Sequence, residues 1–444
     1  MRSIRARLLV ADRDGGMTLV EVMVAMFVFA ILSTVVLSTL LQVISTNAVS
    51  RAQHAAANLA ASEIDLAHDT PDLFALVDDS RTESVDGTVF TIERTTAWVN
   101  GSGAVAACGA GGATLRYKSV NVTVSWPGPG GATQTVRADT SVDPVERIND
   151  PTRGSVLVSV VDAQGNGVQG ATVSLAAKVG GAAVAPSLTD AQGCAYFLRV
   201  APGTYDVSIE KSNYIGLFFE AKPLQQNVSV QAAAAASVGF QYDLEARLTA
   251  SVLPGIGAVR LPSNLPLTFV SSHGVTTAPL TTTTTPVTIN STSSFTMKMH
   301  PRVTYRVFAG HFGRDTGAPD CTAADPNAWP ESTVGGIDLA QGAAPDVSAD
   351  PGASAPVVIS MGRVRINAAY SSLQARPAPG AAGDPTCSAA IVHSFGSVAS
   401  GATIALPYGA WYLTNGPSSS VDATVLSRGT YAGGVVTLDP REPR

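Results

Sequence analysis

The hydropathy pattern divides the chain at once into a long uncharged start and a β-patterned remainder. No side chain between residues 22 and 50 is charged at neutral pH, and residues 22–44 are almost wholly apolar. As a helix that apolar part spans about 35 Å, enough to cross a bilayer. Neither Gly nor Pro occurs from Met17 to Thr70, and residues 51–70 keep good helix formers, with Ala52, Ala55, Leu59 and Leu66 near helical spacing. Pro71 is a natural stop. The pattern therefore predicts one helix over residues 17–70, its first half in an apolar medium and its second half lying on a sheet. From residue 88 the period drops to two: residues 88–99, 115–126 and 133–142 alternate apolar and polar side chains between Gly-rich turns, which predicts a small antiparallel sheet. Trp98 and Trp126 read as core between sheet and helix. The acidic stretch over residues 65–79 reads as a solvated helix end and loop.

Residues 150–154 read as a hinge, and turn chemistry organises the chain beyond it. Asp162, Gly165 and Gly167 suit one tight turn, residues 190–193 another, and Pro202-Gly203 presets a bend before a strand with Tyr205, Val207 and Ile209 on one face. That proline, turn and aromatic strand recur loosely after Pro301 (Tyr305) and after Pro407 (Trp411). A repeat of about 100 residues is the size of one β-sandwich. Three modules are expected, divided near Asp243 and Gly352; the alternative is one larger irregular β domain over residues 243–444. The Thr-rich run at residues 276–295 is expected to be edge strand and loop, with an O-glycosylated stalk as the other reading.

Composition fits many short strands and turns: 444 residues, 45% apolar and 14% charged, with 41 Gly and 27 Pro. The net charge of −6 and a total of five Lys leave no polybasic field, so a nucleic-acid partner is not expected. The six His (His54, His68, His273, His300, His311, His393) are scattered, with no metal-site spacing, and no GxSxG, Walker or HExxH motif occurs. Neither an enzyme nor a metal or other cofactor is expected. The four cysteines, Cys108, Cys194, Cys321 and Cys387, form no CxxC pair and fit disulfides better than metal. Four thiols permit three pairings. The expected one joins Cys321 to Cys387, clasping the last two modules, and leaves Cys108 with Cys194 between the head and the first sandwich.

Four arginines at positions 2, 5, 7 and 13 precede the apolar run, which places the start of the chain on the cytoplasmic side. The segment Gly16-Met17-Thr18-Leu19-Val20-Glu21, followed by VMVAMFVFAIL, resembles the class III signal of type IV prepilins and type II secretion pseudopilins. The resemblance implies that a prepilin peptidase cuts between Gly16 and Met17 and methylates the new amine of Met17. Met in that first position departs from the commoner Phe. A charge at the bilayer centre costs up to roughly 3 kcal/mol on insertion scales, so Glu21 near the hydrocarbon edge suggests a purpose. It lies four residues from Met17 and can reach the amine of its own chain or, as the resemblance implies, that of a neighbouring subunit in a filament.

Residues 152–242 resemble the carboxypeptidase-regulatory, or transthyretin-like, β-sandwich on the strength of GSVLVSVVDAQGNGVQGATVSL, TDAQGCAYF and VAPGTYDVSIEKSNY. The fold class expected is thus an α+β pilin-like head with a long transmembrane helix, followed by all-β sandwich modules. Its parts are a leader (residues 1–16), helix (17–70), head sheet (71–150), first sandwich (151–243) and two further modules (244–351 and 352–444). The function expected is that of a minor-pilin-like subunit, held in the cytoplasmic membrane before assembly and exposed on a pilus or cell surface afterwards. Its expected partners are other pilin subunits, the prepilin peptidase, the membrane and a surface or host ligand. The alternatives are a type II secretion pseudopilin and a single-pass anchored adhesin or carbohydrate-binding protein that never polymerises.

Overall fold

The computed structural model describes residues 18–70, 73, 76–100, 115–128, 131–143, 150–281, 284–313, 321–380, 383–388, 390–416 and 419–444. The chain divides into two compact units, one of Met1–Ala106 with Leu115–Arg147 and the other of Ala107–Thr114 with Ile148–Arg444.

The first unit joins one long helix to one sheet. Helix α1 runs Leu19–Asp69, 51 residues without a break, because nothing in it lacks an amide N–H or frees the backbone. Several of its hydroxyls are satisfied within the helix: Thr34, Ser38 and Thr39 each donate to the carbonyl three residues back at 2.8 Å, which suits an apolar surrounding. The sheet is an antiparallel meander of β1 (Asp79–Val85), β2 (Thr88–Asn100), β3 (Leu115–Pro127) and β4 (Thr133–Val142), paired in that order. Phe90, Ile92 and Trp98 of β2 and Val120, Val122, Val124 and Trp126 of β3 are buried on the face that α1 covers, so the two tryptophans are core.

Two details of this unit differ from the pattern in the sequence. Edge strand β1 begins at Asp79, where the acidic stretch ends, and the alternation in the sequence does not mark it, since six of the strand's seven residues are exposed. The stripe of α1 against the sheet is Ala56, Ala60, Glu63 and Ala67, whereas Leu66 is 52% exposed. Alanines let the helix axis approach the sheet closely, and the bulkier Leu59 sits at the flank of that contact, partly buried.

Among the described residues, the second unit contains three hydrophobic cores in succession. The first is a sandwich of two four-stranded sheets. Its strands are β5 (Gly154–Val161), β6 (Thr172–Val179), β7 (Ser187–Leu188), β8 (Cys194–Val200), β9 (Gly203–Glu210), β10 (Tyr214–Gly216), β11 (Leu224–Val230) and β12 (Ala235–Leu244). They pair in the orders β10-β12-β5-β8 and β11-β9-β6-β7 around a core that includes Val158, Val173, Tyr205 and Tyr242. Side chains shape its turns: Asp162 Oδ1 accepts from the amides of Gln164 and Asn166 (2.8 and 2.9 Å), and Asp190 Oδ1 from those of Gln192 and Cys194 (3.0 and 2.8 Å). Gly193 has φ +74°, and a Cβ there would lie 2.1 Å from Val160 O, so the turn admits no side chain.

The second and third cores exchange strands. Ser354–Ile359 pairs in parallel with Ala246–Val252, and Val357 and Ile359 belong to the core built on Leu248, Phe269 and Tyr305. A division near Gly352 therefore cuts a sheet; the third core begins at Val364. In return, Val259–Leu261 pairs in parallel with Thr403–Leu406 of the third core. Parallel pairing of this kind joins strands distant in sequence, and local turn signals do not announce it. The loose repeat has a physical counterpart: Tyr205, Tyr305 and Trp411 are each at most 2% exposed at the start of a strand. Tyr205 Oη donates to Ala201 O and Trp411 Nε1 to Pro407 O, both four residues back at 2.9 Å. In the Thr-rich run, Gly274–Pro279 is an edge strand of its sheet and Val287–Ile289 an edge strand of another.

Candidate filament-assembly site

The start of α1 is built by a cap. Thr18 is the N-cap, and its hydroxyl accepts the amide N–H of Glu21 at 3.3 Å. Thr18 and Glu21 have the Thr-x-x-Glu spacing of a capping box, a local signal that hydropathy alone does not carry. Glu21 thus sits in the first helical turn, where a carboxylate is favoured by the free N–H groups of the helix. Gly16 and Met17, the positions expected for cleavage and methylation, lie outside the described residues.

Beyond Glu21 the helix is apolar on every side. Side chains from Leu19 to Ile44, Phe27 and Phe29 among them, are exposed. A helix with no polar face cannot be stable as a surface element of a water-soluble domain; it needs lipid or other apolar helices around it. Its length and hydropathy suit a membrane span. Arg51 marks the end of this zone, and Ala56 begins the part that rests on the sheet.

The second half is fixed by charge as well as by packing. Glu63 has a fully buried side chain whose Oε1 accepts from Arg94 Nη1 at 2.6 Å and whose Oε2 accepts from Arg81 Nη1 at 2.5 Å. Arg94 also donates to Val77 O at 3.0 Å, so one guanidinium ties helix, connection and sheet together. The connection after the helix is held in the same way. Lys118 Nζ, buried beside the Trp98 ring, donates to Leu73 O at 2.9 Å, and Asp78 Oδ1 accepts the amide of Thr96 at 2.7 Å. A pull on α1 is thereby passed to three strands. Sequence reasoning missed Glu63 because a single Glu in a polar half-helix carries no sign of burial; its distance from Arg81 and Arg94 appears only once the meander forms.

The cysteines brace the second unit. Cys321 and Cys387 are joined by a disulfide across 66 residues of sequence, linking the long segment after the second core to the third. Cys194 is also disulfide-bonded, and among the described residues no cysteine is free. Cys108 lies outside the described residues. Also among the described residues, no group of three or more His, Cys, Asp or Glu is placed to hold a metal ion.

Comparison with known families decides what the capped apolar helix is. Residues 12–37 match the prokaryotic N-terminal methylation motif. This class III signal spans Gly16, Met17 and Glu21 and runs into α1, and the remainder of the chain lies beyond it. No curated protein matches the chain. Similar solved structures include the Bacillus anthracis TIE protein (10% identity over 79% of this chain and 70% of that one, TM-score 0.19). They also include a streptococcal ancillary pilin (10% identity, 61% and 81%, TM-score 0.20) and a Ca2+-stabilized adhesin of an Antarctic bacterium (10% identity, 82% and 90%, TM-score 0.09). At those TM-scores the alignments carry no argument about fold or function.

Proposed function

We propose that this chain is a minor-pilin-like subunit of a type IV pilus or related filament. It is held in the cytoplasmic membrane by α1, cut by a prepilin peptidase between Gly16 and Met17, and methylated on the amine of Met17. Assembly then carries its β modules to the outside of the cell, where they serve in assembly or adhesion. The observation that supports this reading is the coincidence of the methylation motif with the capped start of a 51-residue helix, apolar on all sides at first and locked to its own sheet later. Such a helix can leave lipid only for another apolar environment, and a bundle of like helices supplies one. Glu21 then neutralises the Met17 amine of a neighbouring subunit, a pairing far stronger among apolar side chains than in water.

The same reading makes the chain structural rather than catalytic. The first sandwich is taken as a carboxypeptidase-regulatory-like module, and Cys108 is taken to pair with Cys194. The test is Glu21→Ala in cells that make the filament. The variant should be processed and retained in membranes, yet fall at least about tenfold in sheared filaments. Wild-type protein that is confined to membranes and never reaches sheared filaments would instead identify an anchored adhesin.

A further inference from the structure

The first sandwich and the second core are joined by a single residue. Strand β12 ends at Leu244 and the next strand begins at Ala246, so only Glu245 lies between them. Glu245 is buried and held from both sides. Its amide donates to Asn213 O of the sandwich at 2.8 Å, and its carboxylate accepts from Lys298 Nζ at 2.5 Å and Arg247 Nη2 at 3.5 Å in the second core. A short linker sets where two modules meet but leaves them free to bend and twist about it. Relative motion is the default for linked modules unless a further apolar contact stops it.

The loop between β10 and β11, residues 217–223, makes that contact. It is stapled within itself: Gly216 N donates to Glu220 O at 2.8 Å, Phe219 N to Gly216 O at 3.1 Å, and Phe218 N to Glu220 Oε2 at 3.0 Å. The loop presents Phe219, which belongs to the sandwich by sequence yet packs against the second core. Its ring centre lies 4.9 Å from that of Phe269 at 83° and 5.4 Å from that of Tyr305 at 67°, and Phe269 and Tyr305 meet at 5.9 Å and 89°. All three contacts are edge to face, the arrangement that aromatic quadrupoles favour. Beside them, Thr276 Oγ1 of the second core donates to Phe218 O at 3.3 Å.

The backbone shows that this ring is kept at a cost. Phe219 has φ +69°, in the left-handed region that favours glycine and where a bulky side chain is an outlier. The loop's own geometry is better served by glycine, and the contacts with Phe269 and Tyr305 are what offset the strain. We propose that Phe219 is the key of a locked joint that makes the first sandwich and the second core one rigid arm. Exchange of strands between the second and third cores extends the arm through the third. A stiff arm holds its far end at a set angle, and that end loses less entropy on binding than the end of a string of free modules does.

The joint is independent of filament assembly and is tested on the isolated full-length chain in detergent. Spin labels are placed by Leu188→Cys in the sandwich and Val358→Cys in the second core, both exposed positions, and their separation is read by double electron–electron resonance. The otherwise unchanged chain should give one narrow distance distribution, and Phe219→Gly should broaden it at least about twofold. Because glycine suits the backbone at this position, Phe219→Gly should leave hydrogen-exchange protection of Val158 and Val238 in the sandwich as it was. Phe219→Ala, which keeps the strained backbone and removes the same ring, serves as the second variant and should broaden the distribution equally. A broad or two-peaked distribution before either substitution, or an unchanged narrow one in either variant, would overturn the proposal.

Discussion

Arg94 Nη1 lies 2.6 Å from Glu63 Oε1, a charge-assisted bond that fastens the centre of the sheet to the far half of the N-terminal helix. With Arg81 on the other oxygen, the carboxylate is bracketed by two guanidinium groups and has no exposed surface of its own. The Glu63–Arg94 pair is costly to break, because these side chains, 0% and 11% exposed, would lose a partner with little water to replace it.

Glu63→Gln is therefore expected to destabilise the first unit by about 3 kcal/mol, read as a lowered urea midpoint of the full-length protein in detergent. Arg81, 40% exposed, can recover water when its partner is lost, so Arg81→Ala should have a smaller effect than Arg94→Ala. A triple change of Glu63, Arg81 and Arg94 to Met, Met and Leu should recover most of the loss. Equal stability of Glu63→Gln and wild type would contradict the account of how the helix is held.

How much of the fold is legible in the sequence depends on the range of the interaction. The helix and strands β2 to β4 are readable because their patterns are local: an uncharged run with no breaker, then period-two alternation of Thr91, Ile92 and Glu93 and of their counterparts on β3. Glu21 is readable for the same reason, being four residues from Met17. Edge strand β1 is not, since a strand with both faces in water has no period to read. Nor is the exchange of strands between the last two cores. The pairing of Ala246–Val252 with Ser354–Ile359 depends on which strands find each other across more than one module, and no turn residue encodes that.

The disulfide of the second unit makes a stability prediction. Breaking Cys321–Cys387 frees a loop spanning 66 residues of sequence, and the chain-entropy estimate for such a loop is about 4 kcal/mol. Cys321→Ser/Cys387→Ser should lower the melting transition of that unit while leaving the first unit unchanged. Peptide mapping without reductant should recover the Cys321–Cys387 crosslink, and a second crosslink between Cys108 and Cys194 under the proposed pairing.

Acid should loosen the joint between the second and third cores. His393 is fully buried between His311 and Trp411, with ring centres 6.2 and 5.2 Å away, and burial first, then the neighbouring His311, push its pKa from 6.5 down to about 3. Between those values the unfolded chain binds a proton that the folded one refuses. The stabilising effect is thus complete above pH 6.5 and is lost as pH falls toward 3, by about 3 kcal/mol at pH 4.5. His300, also lowered chiefly by burial, acts in the same direction. His393→Phe should flatten the acid limb of the stability curve between pH 6.5 and 4.5; an unaltered acid limb would show that the buried ring does not govern it.

The central claim is that α1 remains in the working protein behind a newly made amino terminus. Intact-mass and N-terminal peptide analysis of the protein recovered from purified filaments tests it directly. The predicted result is a chain starting at Met17 and carrying one added methyl group. A chain starting at Met1, or anywhere beyond Thr46, would contradict it.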